Sequence, residues 1–249
     1  MTDPVFEPHF SAEHMARKIQ YLKGRLAELP RGTFTVRRGK EYVRIFGENG
    51  GATFERRIDT EEGALLARQV SEYQVMKSEY DAAMNSFKML YPRTIPESQG
   101  EIQRALPIPE VMTLAYYENP PDIKDPYEPQ TPYVFEGIIM KSRFEVLAGD
   151  AFRELGLEFK YDVPIVTPQG NYFIDMIVPV PERGRCVGFE FCGKVDNFKY
   201  MNSNCTKKLA YLEVGLIPNH DVIFVYGGQN WMPPMREIKN AIIFGVENC

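Results

Sequence analysis

Two apolar stretches, each broken by a single acid, constrain the fold of this chain more than any other feature. In NYFIDMIV, Asp175 interrupts Phe173, Ile174, Met176, Ile177 and Val178, and in CVGFEFCGK, Glu190 stands between Phe189 and Phe191. Both runs have the composition of buried β-strands. A charge in such a strand is costly unless it is paired or bound to a cation. One acid of this kind is explained by a buried ion pair. Two on successive strands, fifteen residues apart, favour a shared hard cation, Mg²⁺ or Mn²⁺.

The segments around this pair predict an α/β domain. Phe144, Leu147, Ala148, Ala151, Phe152 and Leu155 recur at helical spacing, with Ser142 as the N-cap and Gly156 as the stop. Glu145 lies at the edge of that stripe. It is either a first-turn glutamate favouring the helix dipole or a third carboxylate aimed at the metal. LEFKYDVPIV reads as the strand before Asp175. A helix over about 201–213 puts Cys205, Lys208, Leu209 and Leu212 on one face, so that Lys208 either snorkels to solvent or reaches the carboxylates. HDVIFVYGG reads as a strand buried on both faces, which implies a parallel crossover from the Glu190 strand. Pro233 and Pro234 start a last helix to about Phe244.

The N-terminal part has another character. A helix is expected over 12–28, capped by Ser11. TFTVRRGKEYVRIF reads as a hairpin turning at Arg38–Lys40, and a second turn at Asn49–Gly51 leads to a third strand. Residues 17–57 hold eleven Lys or Arg and four Asp or Glu, whereas 58–136 hold six and fourteen, and 137–249 hold twelve and thirteen. The small sheet is thus basic within a chain of net charge −5. Arg37, Arg38, Lys40, Arg44, Arg56 and Arg57 decorate it. They are candidates for phosphate contact with DNA, set against the plainer role of keeping an exposed sheet soluble. One long helix over 60–90 follows, and its apolar stripe permits a homodimer.

Residues 91–136 contain nine of the nineteen prolines together with many acids. This predicts a linker or an extended wrapping segment, docked in part by Tyr116, Tyr117, Tyr127, Tyr133 and Phe135. The expected organisation is therefore an N-terminal region over 1–90, the proline-rich segment over 91–136 and an α/β domain over 137–249. No run of eighteen apolar residues exists, so no membrane span is expected. The N-terminus lacks the pattern of a signal peptide, and the four cysteines fit no common zinc spacing, so a cytoplasmic protein with reduced thiols is expected.

The order helix with Glu, strand, strand with Asp, strand with Glu, helix, strand resembles the PD-(D/E)XK restriction-endonuclease-like superfamily. Most of the chain is similar to an uncharacterised bacterial group within it that has a basic N-terminal β-segment. The residues that carry the likeness are Lys141-Ser142-Arg143-Phe144-Glu145, Tyr172-Phe173-Ile174-Asp175, Phe189-Glu190-Phe191-Cys192-Gly193, and Lys208, Tyr211 and Gly215-Leu216. The resemblance implies a mixed sheet flanked by helices and a metal-dependent DNA endonuclease. In it Asp175, Glu190 and the Phe191 carbonyl hold Mg²⁺, and Glu145 binds through water or at a second site. Two residues after the acid the superfamily has a lysine, and here that position is Cys192. Lys208, with Lys194 and Lys207 behind it, is the candidate replacement. The alternative is an inactive nuclease-fold module that binds nucleic acid or a protein.

Overall fold

The computed structural model describes residues 8–47, 52–91, 107–127, 129 and 131–249. The chain is a mixed α/β protein of two compact units, one of Ser11–Glu101 and the other of Met1–Phe10 with Ile102–Cys249. Among the described residues no helix is long and apolar enough to cross a membrane.

The unit of Ser11–Glu101 is built from α1 (Ala12–Glu28), β1 (Gly32–Arg37), β2 (Lys40–Phe46), β3 (Ala52–Arg57) and α2 (Glu61–Leu90). Ser11 caps α1 by accepting from the His14 N–H, and Thr60 caps α2 by accepting from the Gly63 N–H. The hairpin turns at Arg38 and Gly39, both left-handed, where glycine is at no disadvantage. The expected turn at Asn49–Gly51 lies outside the described residues. The three strands pair antiparallel in the order β1-β2-β3. Val43 and Ile45 of the central strand pack against Val70 of α2, which forms the core of this unit.

The second unit begins, among the described residues, at Pro8, and Phe10 packs on its larger core. After α2 the chain re-enters it through a 3-10 turn (Glu110–Met112) and α3 (Leu114–Glu118). Val111 and Met112 are buried there, and Tyr116 and Tyr117 pack beside them. Part of the proline-rich segment is therefore core, because its apolar residues fall where the backbone docks. Phe135 is also buried, whereas Tyr127 is exposed.

A short hairpin of β4 (Tyr133–Phe135) and β5 (Ile138–Met140) precedes α4 (Arg143–Glu154), β6 (Lys160–Thr167), β7 (Gly170–Val180), β8 (Arg185–Cys192), α5 (Phe198–Glu213), β9 (Val222–Tyr226) and α6 (Met235–Asn248). The sheet order is β6-β7-β8-β9. The first two pairings are antiparallel, and β8-β9 is parallel, with α5 as its crossover. Core residues lie on both faces. Val187, Phe189 and Phe191 share one layer with Phe144, Ala148 and Phe152 of α4 and with Ile238 and Ile242 of α6. Cys186, Cys192, Val222 and Phe224 face the other, with Tyr211 of α5.

Candidate active site

The β7-β8 ladder runs from Val180/Arg185 to Met176/Phe189 and stops. The next rung would place Asp175 opposite Glu190. The strands part there, and Asp175 Oδ2 accepts a hydrogen bond of 2.8 Å from the Phe191 N–H. A buried backbone donor freed by the parting is thereby satisfied.

The β6-β7 ladder is interrupted at the same level. Its register passes from Tyr161/Met176 to Val163/Ile174, leaving Asp162 and Asp175 unpaired between them. Tyr161 and Met176 belong to the α4 side of the sheet, whereas Val163 and Ile174 belong to the α5 side. Residues two apart on a regular strand share a face, so both strands change face at this rung. Asp162 has φ 56°, in the left-handed region. For a non-glycine residue this costs on the order of 1–3 kcal/mol and is typical of functional sites.

Glu190 points to the α5 side and is almost fully buried. Its Oε1 accepts from the Tyr211 hydroxyl at 2.6 Å and its Oε2 from the Lys207 ammonium at 2.7 Å. Burial, reinforced by the charge of Asp175 and opposed by Lys207 and Tyr211, pushes its carboxyl up to about 7. Burial works to strip the proton from Lys207, but the charges of Glu190 and Asp175 outweigh it and hold the ammonium above its ordinary value. The Cys192 thiol is pushed up to about 12 by burial and by Glu190 and Asp175. A neutral thiol therefore stands where the resemblance expects a lysine.

The buried face of α5 differs from the expected one. Leu209 and Leu212 are exposed, as is Cys205, and the inward stripe is Tyr200, Asn204, Lys207 and Tyr211. Aliphatic residues marked the wrong face because the structure surrounding Glu190 needs hydrogen-bond donors. Lys208 accordingly lies elsewhere. Its ammonium donates to the Tyr226 hydroxyl at 2.5 Å and sits over the Phe224 ring at 4.4 Å. The lysine on the carboxylates is Lys207. Its signal was the i, i+4, i+7, i+11 spacing of polar and aromatic residues.

Glu145 is committed to local bonds. Ser142 accepts from the Glu145 N–H at 3.2 Å and donates its hydroxyl to Oε1 at 2.9 Å. Oε2 accepts from the Lys141 N–H at 2.8 Å and from the Tyr161 hydroxyl at 2.6 Å. This is a variant of the capping box in which the glutamate reaches the N–H before the cap and is closed by the tyrosine of β6. Burial and the charge of Asp175 raise its carboxyl, against those donors. Glu145 thus lies within the field of Asp175, but with its oxygens already occupied. Lys141 completes this side of the site. Its ammonium is held by Asp125 and Asp162, and the Phe173 ring lies 5.7 Å from it.

In the Ser11–Glu101 unit, four of the six basic candidates are ion-paired with described residues. Arg37 and Arg44 share Glu55, Arg56 pairs with Glu62, and Arg57 pairs with Asp59. Cross-strand pairing puts Arg44, Glu55, Tyr42 and Arg57 on the face away from Val43 and Ile45, with Arg37 and Lys40. Arg56 pairs with Val43 and lies on the α2 side, over the Phe54 ring. Arg38 occupies the hairpin turn.

No family model, curated protein or solved structure matches this chain.

Proposed function

We propose that the chain is a metal-dependent endonuclease that hydrolyses DNA phosphodiester bonds at the Asp175–Glu190 rung. The element order α4-β6-β7-β8-α5-β9 supports the PD-(D/E)XK reading. The observation that carries the proposal is the parting of β7 and β8 at two acids, with the Lys207 ammonium on one of them.

The donor set fits a hard divalent cation. Asp175, Glu190 and the Phe191 carbonyl supply only oxygen, as Mg²⁺ and Mn²⁺ require, and Glu190 would have to turn an oxygen from Lys207 or Tyr211 to the cation. The charge of Asp175 adds to burial in raising the Glu190 carboxyl, and a cation shared by the two acids would relieve that repulsion. Among the described residues no group of three or more His, Cys, Asp or Glu is placed to hold a metal ion. The proposed set has two carboxylates and a carbonyl, and so is smaller than such a group. Bound there, the cation would lower the pKa of a water and screen the phosphate.

The chain's own residues do the rest. Asp175 is fixed by the Phe191 N–H, and Glu190 by Tyr211. Lys207 keeps its proton and offers a cation to the charge that develops on phosphate. Glu145 acts as a positioning group, tying the start of α4 to Tyr161. The basic sheet contributes phosphate contacts, which makes binding salt-dependent. A homodimer through α2, which leaves Leu65, Val75 and Met89 exposed, would give an assembly with two sites, one for each strand. Sedimentation of the purified chain tests that part.

The second reading, a non-catalytic nucleic-acid or protein-binding module, is favoured by Cys192 at the lysine position and by the engagement of Lys207 as the counter-ion of Glu190. Plasmid cleavage with Mg²⁺ and Mn²⁺ separates the two. The wild type should nick DNA and Asp175→Ala should not. Lys207→Ala should lose about 10²-fold or more, as for removal of a group aimed at transition-state charge, and Lys208→Ala should stay near wild type. Absence of cleavage with either metal, together with a salt-sensitive gel shift, would leave the binding module.

A further inference from the structure

We infer that Arg44 reads a guanine in the major groove of duplex DNA, held in place by Glu55 and Arg37. The inference rests on the DNA-contacting part of the function proposed above and not on its catalytic part.

Arg44 lies on the central strand of the three-stranded sheet, on the face away from the core residues Val43 and Ile45. Its Nε and Nη2 both contact Glu55 Oε1, at 2.6 and 2.5 Å. Arg37 meets the same carboxylate through Nη1 and Nη2, both at 3.1 Å. The two arginines are held differently. Arg37 spends the end of its fork on Glu55. Arg44 spends its side, so its Nη1 hydrogens and one Nη2 hydrogen are left over, on a side chain that is 29% exposed. That end-on edge is the one that pairs with O6 and N7 of guanine.

Glu55 decides between backbone contact and base reading. A carboxylate beside two arginines weakens their attraction for phosphate, so a face meant only to hold the backbone gains nothing from it. A base edge carries no net charge, and reading it demands a guanidinium of fixed orientation. Glu55 supplies that orientation at the expense of general affinity. Beside this centre Lys40 adds positive charge to the face, as backbone positioning requires, while Arg57 is paired with Asp59. The dimensions also agree. The major groove of B-DNA, about 12 Å wide, admits a two-stranded β-ribbon, and the β1-β2 hairpin that carries Arg37 and Arg44 is one. The deep, narrow major groove of A-form RNA does not admit such an element.

The test is selection from a random duplex DNA pool by the full chain in chelator, so that binding is read without cleavage. Thermal melting confirms that each variant is folded. The wild type should enrich a motif containing a guanine, preferred over other bases by about tenfold to a hundredfold. Arg44→Lys keeps the charge but not the fork. It should bind the pool within a few-fold of wild type and lose the preference at that position. Glu55→Gln should bind random duplex more tightly while its preference falls. Enrichment of no sequence by the wild type would overturn the inference and leave backbone contact standing. A guanine preference that survives in Arg44→Lys and Arg44→Ala would overturn it as well, as would an RNA duplex competing equally. Failure to bind any duplex would overturn both this inference and the DNA contact it rests on, while plasmid cleavage reports independently on Asp175.

Discussion

At the scale of single residues, Asp175 and Glu190 were legible because each breaks an apolar strand, and burial of a charge has to be answered by something nearby. What answers Glu190, the pair Tyr211 and Lys207, was harder to see. Tyr211 is a core aromatic, and Lys207 stands beside a lysine that shared a face with two leucines. The left-handed turn of Asp162 had no signal in LEFKYDVPIV, since one aspartate in a β-run is compatible with a regular strand. Glu190 carries a stability signature that can be measured without metal. Its carboxyl, pushed up to about 7 by burial, binds its proton more tightly in the fold than in the unfolded chain, where the ordinary value is about 4.3. Between those values the native state binds more protons, so stability falls as pH rises. The neutral carboxyl's contribution is present in full below the unfolded value and is gone above about pH 7. It amounts to about 4 kcal/mol from this group. Urea midpoints of the metal-free protein at pH 5 and pH 8 should therefore differ more for the wild type than for Glu190→Gln, in the direction of lower wild-type stability at pH 8. Parallel pH dependence of the two proteins would show that Glu190 does not titrate in this range.

At the scale of elements, helix boundaries follow from caps. Ser11, Thr60 and Ser142 each accept from a backbone N–H three residues on, and Gly156 ends α4 with φ 67°. These signals are local, so the sequence alone shows them. Which face of a helix is buried is not local, and α5 demonstrates it. Its partner is a strand bearing an acid, so the inward stripe is polar. Two glycines make a similar point about α1 and α6. A Cβ at Gly24 in α1 would meet nothing within 4 Å. A Cβ at Gly245 in α6 would lie 2.7 Å from Ile223 Cγ1 and 2.9 Å from Phe189 Cζ. Gly24→Ala should stabilise by up to about 1 kcal/mol through helix propensity alone. Gly245→Ala receives the same gain, set against overpacking of about 1–3 kcal/mol in the core behind Glu190, and should be net destabilising. Denaturant melts of the two variants check the opposite signs. A stabilised Gly245→Ala would mean that α6 has room to move off the sheet.

At the scale of the whole molecule, the chain carries two cores with different chemistry. One is a small basic sheet closed by α2 around Val43, Ile45 and Val70. The other is the larger sheet with helices on both faces. The change in charge and proline content along the chain announced a division, but composition places it only in the stretch after α2. It says nothing of Phe10, which precedes the first helix and yet packs on the larger core. The larger unit therefore draws on the chain from both sides of the smaller one, because a single aromatic side chain gains more from burial there than from solvent. Two cores of this kind should melt as two transitions. Val70→Ala should lower only the transition of the Ser11–Glu101 unit, by about 2 kcal/mol for the methyls lost and the cavity left. Phe10→Ala removes a half-buried ring and should lower only the other, by about 1–2 kcal/mol, although residue 10 adjoins α1 in sequence. Scanning calorimetry with hydrogen exchange to assign each transition reads both effects. If Phe10→Ala moved the transition that Val70→Ala moves, residue 10 would belong to the unit it precedes. A single transition shifted by either substitution would show that the two cores unfold as one.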